Sequence, residues 1–345
     1  MNSLARKSFA AAVALVVGTT AVCAADVTIR YSKWLPPGYP PYDQVIEPWF
    51  AEIERVTEGR VVVEVLPKTV GSVVGQYDVV AEGLADMAYI SLVYTPGRFV
   101  PMEFAELAGA PGKPENFSLA YYRTYEKFIK GKMDVFPGVV ELTAHVQTPL
   151  QPATKGVKIE NPEDMRGLKM RTTGATLTAA YELLGVVPIH KSSAEVREML
   201  AAGTIDGQTT LLNTVTNFNG VDVHDHVFIL TGGLANAGQI IGINEDKWAE
   251  ISPADQEAIM AISGEVLADR FSKTHAADDL KAIEIFKENG YTITYATPEV
   301  EAQFGEILTP ITDDWYQRAR AAGLENPEEV LQHYYEELRR IEEES

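Results

Sequence analysis

Cysteine is almost missing from this chain: Cys23 is the only one in 345 residues. It falls in a segment expected to be removed, so the mature chain has neither disulfides nor thiol chemistry. Its stability must come from a core, which a chain of this length can build. Positive charge is scarce as well. Removing Arg6 and Lys7 from the 29 basic residues leaves 27 against 49 acidic ones, a formal charge of −22. Binding a phosphate backbone needs clustered positive charge, so nucleic acid is excluded as an expected partner. Such acidity also suits anionic membrane surfaces poorly. Beyond the N-terminus no segment approaches the roughly 20 apolar residues of a transmembrane helix. The catalytic signatures GxSxG, P-loop and HExxH are absent. No internal repeat or low-complexity tract is present.

What is present begins with export. Arg6 and Lys7 precede an apolar run from Phe9 to Val17, and Val22-Cys23-Ala24 is a small-residue cleavage site. Residues 1–25 are therefore expected to be a signal peptide, removed on the way to the periplasm. Val22 before Cys23 fits a lipoprotein site poorly, so cleavage is expected without lipidation.

The mature chain alternates strands and helices. Val27–Ser32 alternates apolar and polar residues as a strand does. Val45, Trp49, Phe50, Ile53 and Val56 recur at helical spacing, with Gly59 placed to stop the helix. Val61–Leu66 is a second strand, Gln76–Glu82 a helix, and Met87–Ser91 a nearly continuous apolar strand. This order favours a parallel sheet with helices on both faces. Later, Leu177–Leu184 reads as a helix and Val186–Ile189 as a strand. Ser192 with Glu195 forms a capping box for a helix to about Ala202. Val227–Leu230 and Gln239–Ile243 are further strands. Pro253 opens and Gly290 closes a helical stretch that Gly264 or Ser272 could split. The expected fold is α/β in two lobes with crossovers near residues 148–155. The first lobe takes 26–148 and about 237–276. The second takes 149–236, about 277–345 and the C-terminal helices.

The most informative segment is NPEDMRGLKMRTTG, Asn161 to Gly174. Leu168 and Met170 alternate with Lys169 and Arg171, so Arg171 stands where a strand runs out. In open α/β sheets ligands bind outside such strand ends. A guanidinium there can grip a carboxylate through two parallel hydrogen bonds. The alternative is a solvated surface arginine, and this segment alone leaves both open. His224 and His226 flank Asp225 as a possible metal pair, but zinc needs a third ligand, and a polar strand entry is the better reading. No metal or other cofactor is expected.

Four stretches carry a resemblance over essentially the whole mature chain: VLPKTVGSVVGQYDVVAEGLADMAYIS at Val65–Ser91, YTPGRF at Tyr94–Phe99, PEDMRGLKMR at Pro162–Arg171 and AEVREMLAAGTIDGQ at Ala194–Gln208. Together they resemble the substrate-binding proteins of tripartite ATP-independent periplasmic (TRAP) transporters, of the DctP family. The resemblance implies a periplasmic-binding-protein fold with a hinge and a long helix bridging both lobes. It implies that Arg171 forms a salt bridge to a substrate carboxylate, and that the closed form is recognised by the membrane subunits of a TRAP permease.

The family pattern places further residues near the ligand: Trp34 after the first strand, Ser91 and Tyr94 after the third, Thr210 and Asn213 beyond the aspartate-glycine pair, Ser193 where some members have an aromatic residue, and Asn236. Arg98 reads as structural. Some members carry a second arginine about twenty residues before the first, and this chain has Gln151 there. One cation and one aromatic wall lead us to expect a monocarboxylate with an apolar, keto, hydroxy or aromatic part, bound by a monomer that is not an enzyme. The alternatives are a C4-dicarboxylate receptor, a periplasmic enzyme using His190, or a sensory module that presents ligand.

Overall fold

The computed structural model describes residues 26–191 and 195–344. The expected signal peptide, the Ser192 cap and Ser193 lie outside the described residues. Two sheets organise the rest. The first holds β1 (Val27–Ser32), β2 (Val61–Val65), β3 (Met87–Ser91), β4 (Val139–Val146) and β10 (Gly238–Asn244), in the order β2-β1-β3-β10-β4. The second holds β5 (Gln151–Thr154), β6 (Lys169–Thr172), β7 (Val187–His190), β8 (Gly207–Thr210), β9 (His226–Ile229) and β11 (Thr292–Tyr295), in the order β11-β9-β5-β8-β6-β7.

The expected parallel core exists only in part. β1 pairs parallel with β2 and β3. β10, arriving from far along the chain, inserts antiparallel between β3 and β4. Likewise β5 runs antiparallel to β8 and β9. Each sheet is therefore mixed, because the chain crosses between sheets and returns. Two crossovers lie side by side: the Leu150 amide donates to the Ala235 carbonyl at 2.9 Å, and the Gln147 amide to that of Ala237 at 3.2 Å.

The helical stretch from Pro253 breaks after Ala261. Ser263 and Gly264 form the break, and Gly264 takes a φ of +49°, which disfavours any side chain. A Cβ there would also meet the Tyr122 hydroxyl at 2.6 Å. The helix that follows, Gly264–Glu288, runs roughly 37 Å at 1.5 Å per residue. It begins on the first sheet, where the Thr143 hydroxyl donates to the Gly264 carbonyl at 2.8 Å. It ends in the second lobe's core, where Phe286 is buried with Ala153 and Val227. One rigid element thus spans both sheets.

The two C-terminal helices, expected with the second lobe, reach the first as well. In Pro298–Ala321, Trp315 Nε1 donates to the Val100 carbonyl at 2.9 Å, and Arg318 pairs with Glu103 at 2.5 Å. Helix Pro327–Glu344 packs against helix Phe117–Phe128. No helix among the described residues is long and apolar enough to cross a membrane.

Candidate functional site

The two segments singled out by sequence are neighbouring strands. β6 pairs parallel with β8, with Met170 opposite Gly207 and Arg171 opposite Gln208. Gly207 is required by contact: a Cβ there would lie 2.5 Å from the Ala153 carbonyl oxygen on β5. Arg171 is 1% exposed, so the surface-arginine reading fails. Its backbone carbonyl accepts from the Tyr181 hydroxyl at 3.1 Å, and its Nε–H donates to the Lys191 carbonyl at 2.7 Å. The first contact holds the strand backbone and the second orients the guanidinium. Burial pushes its pKa down, while Tyr94 and Tyr181 act in the opposite sense. It stays a cation at any physiological pH.

Arg171 faces a cleft of about 190 Å³ between the sheets. From the first-sheet side come Trp34, Tyr39, Ser91, Tyr94 and Gln239. From the second come Thr173, Thr209, Thr210, Thr214 and Phe218. Among the described residues that line it, Arg171 is the only cation, and none is a carboxylate. Trp34 is held by its own hydrogen bond, Nε1 to the Tyr89 carbonyl at 2.7 Å. Its ring meets that of Tyr94 at a centroid distance of 6.4 Å. The Thr209 hydroxyl donates to the Tyr181 hydroxyl oxygen at 2.7 Å, tying the cleft floor to the residue that holds Arg171.

Of the sequence-selected residues, Arg171, Trp34, Ser91, Tyr94 and Thr210 line the cleft together. Gln151 is directed elsewhere. Its Nε2 donates to the Leu230 carbonyl at 2.8 Å and its Oε1 accepts the Leu230 amide at 3.0 Å, so both ends of the amide serve the backbone. Asn236 lies at the crossover, where its amide nitrogen can donate to the carbonyls of Gln147 and Thr148 at 3.0 and 2.7 Å. Asn213 is fully buried beside Thr214, and its side-chain amide has no partner among the described residues. Arg98 pairs with Asp78 at 2.6 Å and covers the Tyr77 ring, a structural arrangement.

His224 and His226 do not converge. His224 Nδ1 lies 2.8 Å from the Gly220 carbonyl, and His226 Nε2 lies 3.1 Å from the Thr294 hydroxyl. Burial lowers both pKa values, that of His226 to about 4, so the rings are neutral and bound within the fold. His190 is exposed, with Nδ1 3.2 Å from the Thr172 carbonyl.

Sequence reasoning missed Tyr39, Gln147 and Gln239. Gln239 begins a strand buried at every position, which reads as core. Gln147 sits in a crossover, close to the Tyr39 and Tyr89 hydroxyls. A second recess, about 750 Å³, opens between residues 108–112, 230–233 and the C-terminal helices. It contains Glu301 and Asp313 but no cation among its described lining residues, so it suits an anion poorly.

Comparisons with known proteins bear on the family and the fold. The family model for bacterial extracellular solute-binding protein, family 7 (DctP), matches residues 31–319. A Comamonas testosteroni protein named outer membrane transporter protein TsaT is 26% identical over 313 residues, covering 89% of this chain and 90% of that one. Among solved structures, a TRAP periplasmic solute-binding protein from Bordetella bronchiseptica with bound (R)- and (S)-mandelate superposes with a TM-score of 0.84 at 27% identity, covering 91% of this chain and 99% of that one. A Rhodoferax ferrireducens TRAP solute-binding protein in complex with copurified benzoate shares the fold, with a TM-score of 0.84 at 20% identity over 92% and 99% of the two chains.

Proposed function

The chain belongs to the DctP family of bacterial extracellular solute-binding proteins, and from that premise we propose that it captures a small organic monocarboxylate by closure of its two lobes and passes it to the membrane subunits of a TRAP permease. That it is a TRAP solute-binding receptor for small acids follows from the family and from the mandelate-binding relative. The family and fold are those of transport receptors, which bind their ligand without transforming it. That the ligand carries one carboxylate, and that the receptor works in the periplasm, is our reading.

One observation carries the monocarboxylate: the cleft holds a single buried cation and no carboxylate among its described lining residues. A monoanion neutralises that charge. A dianion would bring a second, desolvated charge with no cationic partner among the described lining residues, which is costly. The rest of the cleft is aromatic rings and neutral hydroxyl or amide groups, which suits a short apolar body. Closure is driven by ligand contacts that exist only when both sheets meet it. Arg171 on one side and Trp34 and Tyr94 on the other supply these.

A thermal-shift series tests the reading. Monocarboxylates such as mandelate and benzoate should raise the melting temperature, and succinate and malate should not. Stabilisation by the dicarboxylates alone would overturn it.

A further inference from the structure

We propose that Phe218, together with Val73 of the other lobe, is a specificity-determining residue that selects monocarboxylates with a ring-sized apolar body over two- and three-carbon acids. The inference rests on the monocarboxylate reading above and narrows it.

Phe218 ends a short helix whose placement is fixed. The helix Leu212–Asn217 follows β8, and the Phe218 amide donates to the Thr214 carbonyl at 3.0 Å. Thr214 and Phe218 stand four residues apart, on one face of this helix, and both border the cleft, as does Leu211. Leu212 and Val215 take the other side, in the second lobe's core with Ala282 and Phe286. The Asn213 amide donates to Asp279 at 2.8 Å and the Asn217 side chain to Asp278 at 3.0 Å, which ties the short helix to the long one that spans both sheets. Beyond Phe218, Asn219 takes a φ of +55° and the Gly220 amide donates to the Val215 carbonyl at 2.7 Å. A Cβ at Gly220 would lie 2.9 Å from that carbonyl oxygen, so the turn is tight.

The fold makes no use of the ring on the cleft face. Phe218 is half-buried and belongs to none of the hydrophobic clusters of the described residues. Trp34, Leu35 and Tyr39 also border the cleft, but they pack on the first lobe's core. Val73 stands on the first lobe as Phe218 does on the second. It borders the cleft, is 36% exposed and joins no cluster among the described residues. Its loop is nonetheless braced, since Gln76 Nε2 donates to the Val70 and Ser72 carbonyls at 2.8 and 2.9 Å. Each lobe thus holds an apolar side chain at the cleft that is still partly open to water.

Covering such surface is favourable in proportion to its area. Arg171 is the only cation among the described lining residues, so it takes the carboxylate and leaves the rest of the ligand to the neutral lining. The cleft of about 190 Å³ has room for roughly six waters at about 30 Å³ each. An acid the size of propionate leaves part of that room to water, with Phe218 and Val73 uncovered. A single ring takes that room and is covered from both lobes, so its burial also favours closure.

Isothermal titration of the full mature chain tests this with propionate and lactate against cyclohexanecarboxylate and phenylacetate. The ring-bearing acids should bind at least about tenfold more tightly than the short ones, since several buried methylenes separate them. Phe218→Ala should cut that ratio to about threefold or less, and Phe218→Leu should restore most of it. Val73→Ala should cut it too, by less, since fewer carbons are lost. Without ligand, the Phe218→Ala protein should melt within about 2 °C of the wild type, because the ring joins no core cluster. A merely structural Phe218 would lower the melting temperature and weaken all four acids together, and that outcome overturns the proposal. So does a wild type that binds short acids as tightly as ring-bearing ones, or a ratio that survives in Phe218→Ala. If none of the four acids binds, the monocarboxylate reading falls and this inference with it. If they bind without depending on Phe218, only the inference falls.

Discussion

Asp206 and Lys169 are locked to each other in both directions. The Asp206 carboxylate accepts the Lys169 amide at 2.8 Å, and the Lys169 carbonyl accepts the Asp206 amide at 2.7 Å. Lys169 opens the strand that carries Arg171, and Asp206 directly precedes the strand that supplies Thr209 and Thr210. This pair extends the β6–β8 ladder by which two segments far apart in sequence form one wall of the cleft. Asp206→Ala should lower unfolding stability by about 1.5–3 kcal/mol, the range for a hydrogen bond to a charged group. Ligand affinity should fall with it, and Asp206→Asn should restore most of both. Urea unfolding with parallel titration measures this, and an Asp206→Ala protein as stable as the wild type would show the lock to be idle.

Arg171 should be the costliest single residue for binding. Truncating one partner of a buried ion pair costs about 2–5 kcal/mol, because the other charge is left desolvated. Arg171→Ala should thus weaken the best monocarboxylate by roughly 30-fold or more. Arg171→Lys should recover only part of this, since an ammonium cannot grip a carboxylate with two parallel bonds. Full affinity in Arg171→Ala, by titration calorimetry, would refute the anchor.

Trp34 should contribute to selectivity more than to the anchor. It presents a ring to the cleft and is braced by the Tyr89 carbonyl and the Tyr94 ring. Trp34→Ala should weaken aromatic acids by about 1–2 kcal/mol and short aliphatic acids by less. Trp34→Phe keeps an apolar wall and loses only the bracing hydrogen bond, so its effect should be smaller. Equal losses across aromatic and aliphatic acids would mean that the ring supports the fold rather than the ligand.

Arg171 was legible as the end of a strand, because local alternation up to Thr172-Thr173-Gly174 needs no tertiary information, but its role as an anchor came from the family resemblance. Trp34, Ser91 and Tyr94 were legible only through the family pattern, which places ligand contacts around the ends of the first and third strands. Gln239 was not, since β10 is buried along its whole length and takes its meaning from insertion between β3 and β4, a long-range pairing. β5 and β8, QPAT and GQTT, were hidden for a different reason. They are short and polar, Pro152 argues against a strand, and their burial comes from the helices and strands packed around them. Gln151 shows the opposite failure. Its position relative to Arg171 suggested a ligand contact, yet its amide closes a pair of hydrogen bonds to Leu230 that only the folded crossover creates.

Asp279 should make stability depend on pH through the crossover. It lies on the helix that spans both sheets, and its carboxyl accepts from the Thr148 hydroxyl at 2.5 Å and the Asn213 amide at 2.8 Å. Neighbouring Asp278 accepts from Asn217 at 3.0 Å. Burial, opposed by the Thr148 and Asn213 hydrogen bonds and assisted by the Asp278 charge, raises the Asp279 pKa from 3.8 to about 7. Between those two values the folded protein keeps a proton that the unfolded chain has released. Stability from this group is therefore present in full below about pH 4 and is lost as pH rises towards 7. His226 and His275, both lowered to about 4, act in the other direction, since they are neutral when folded and charged when unfolded below about 6.5. The wild-type curve alone is thus ambiguous, and the difference from Asp279→Asn isolates the carboxyl. Asparagine can still accept from the Asn213 amide and can donate to the Thr148 oxygen. The advantage of Asp279→Asn in unfolding free energy should grow with pH across this window, by at most about 1.4 kcal/mol per unit. A difference that stays flat from pH 4 to 7 would show that Asp279 does not titrate there.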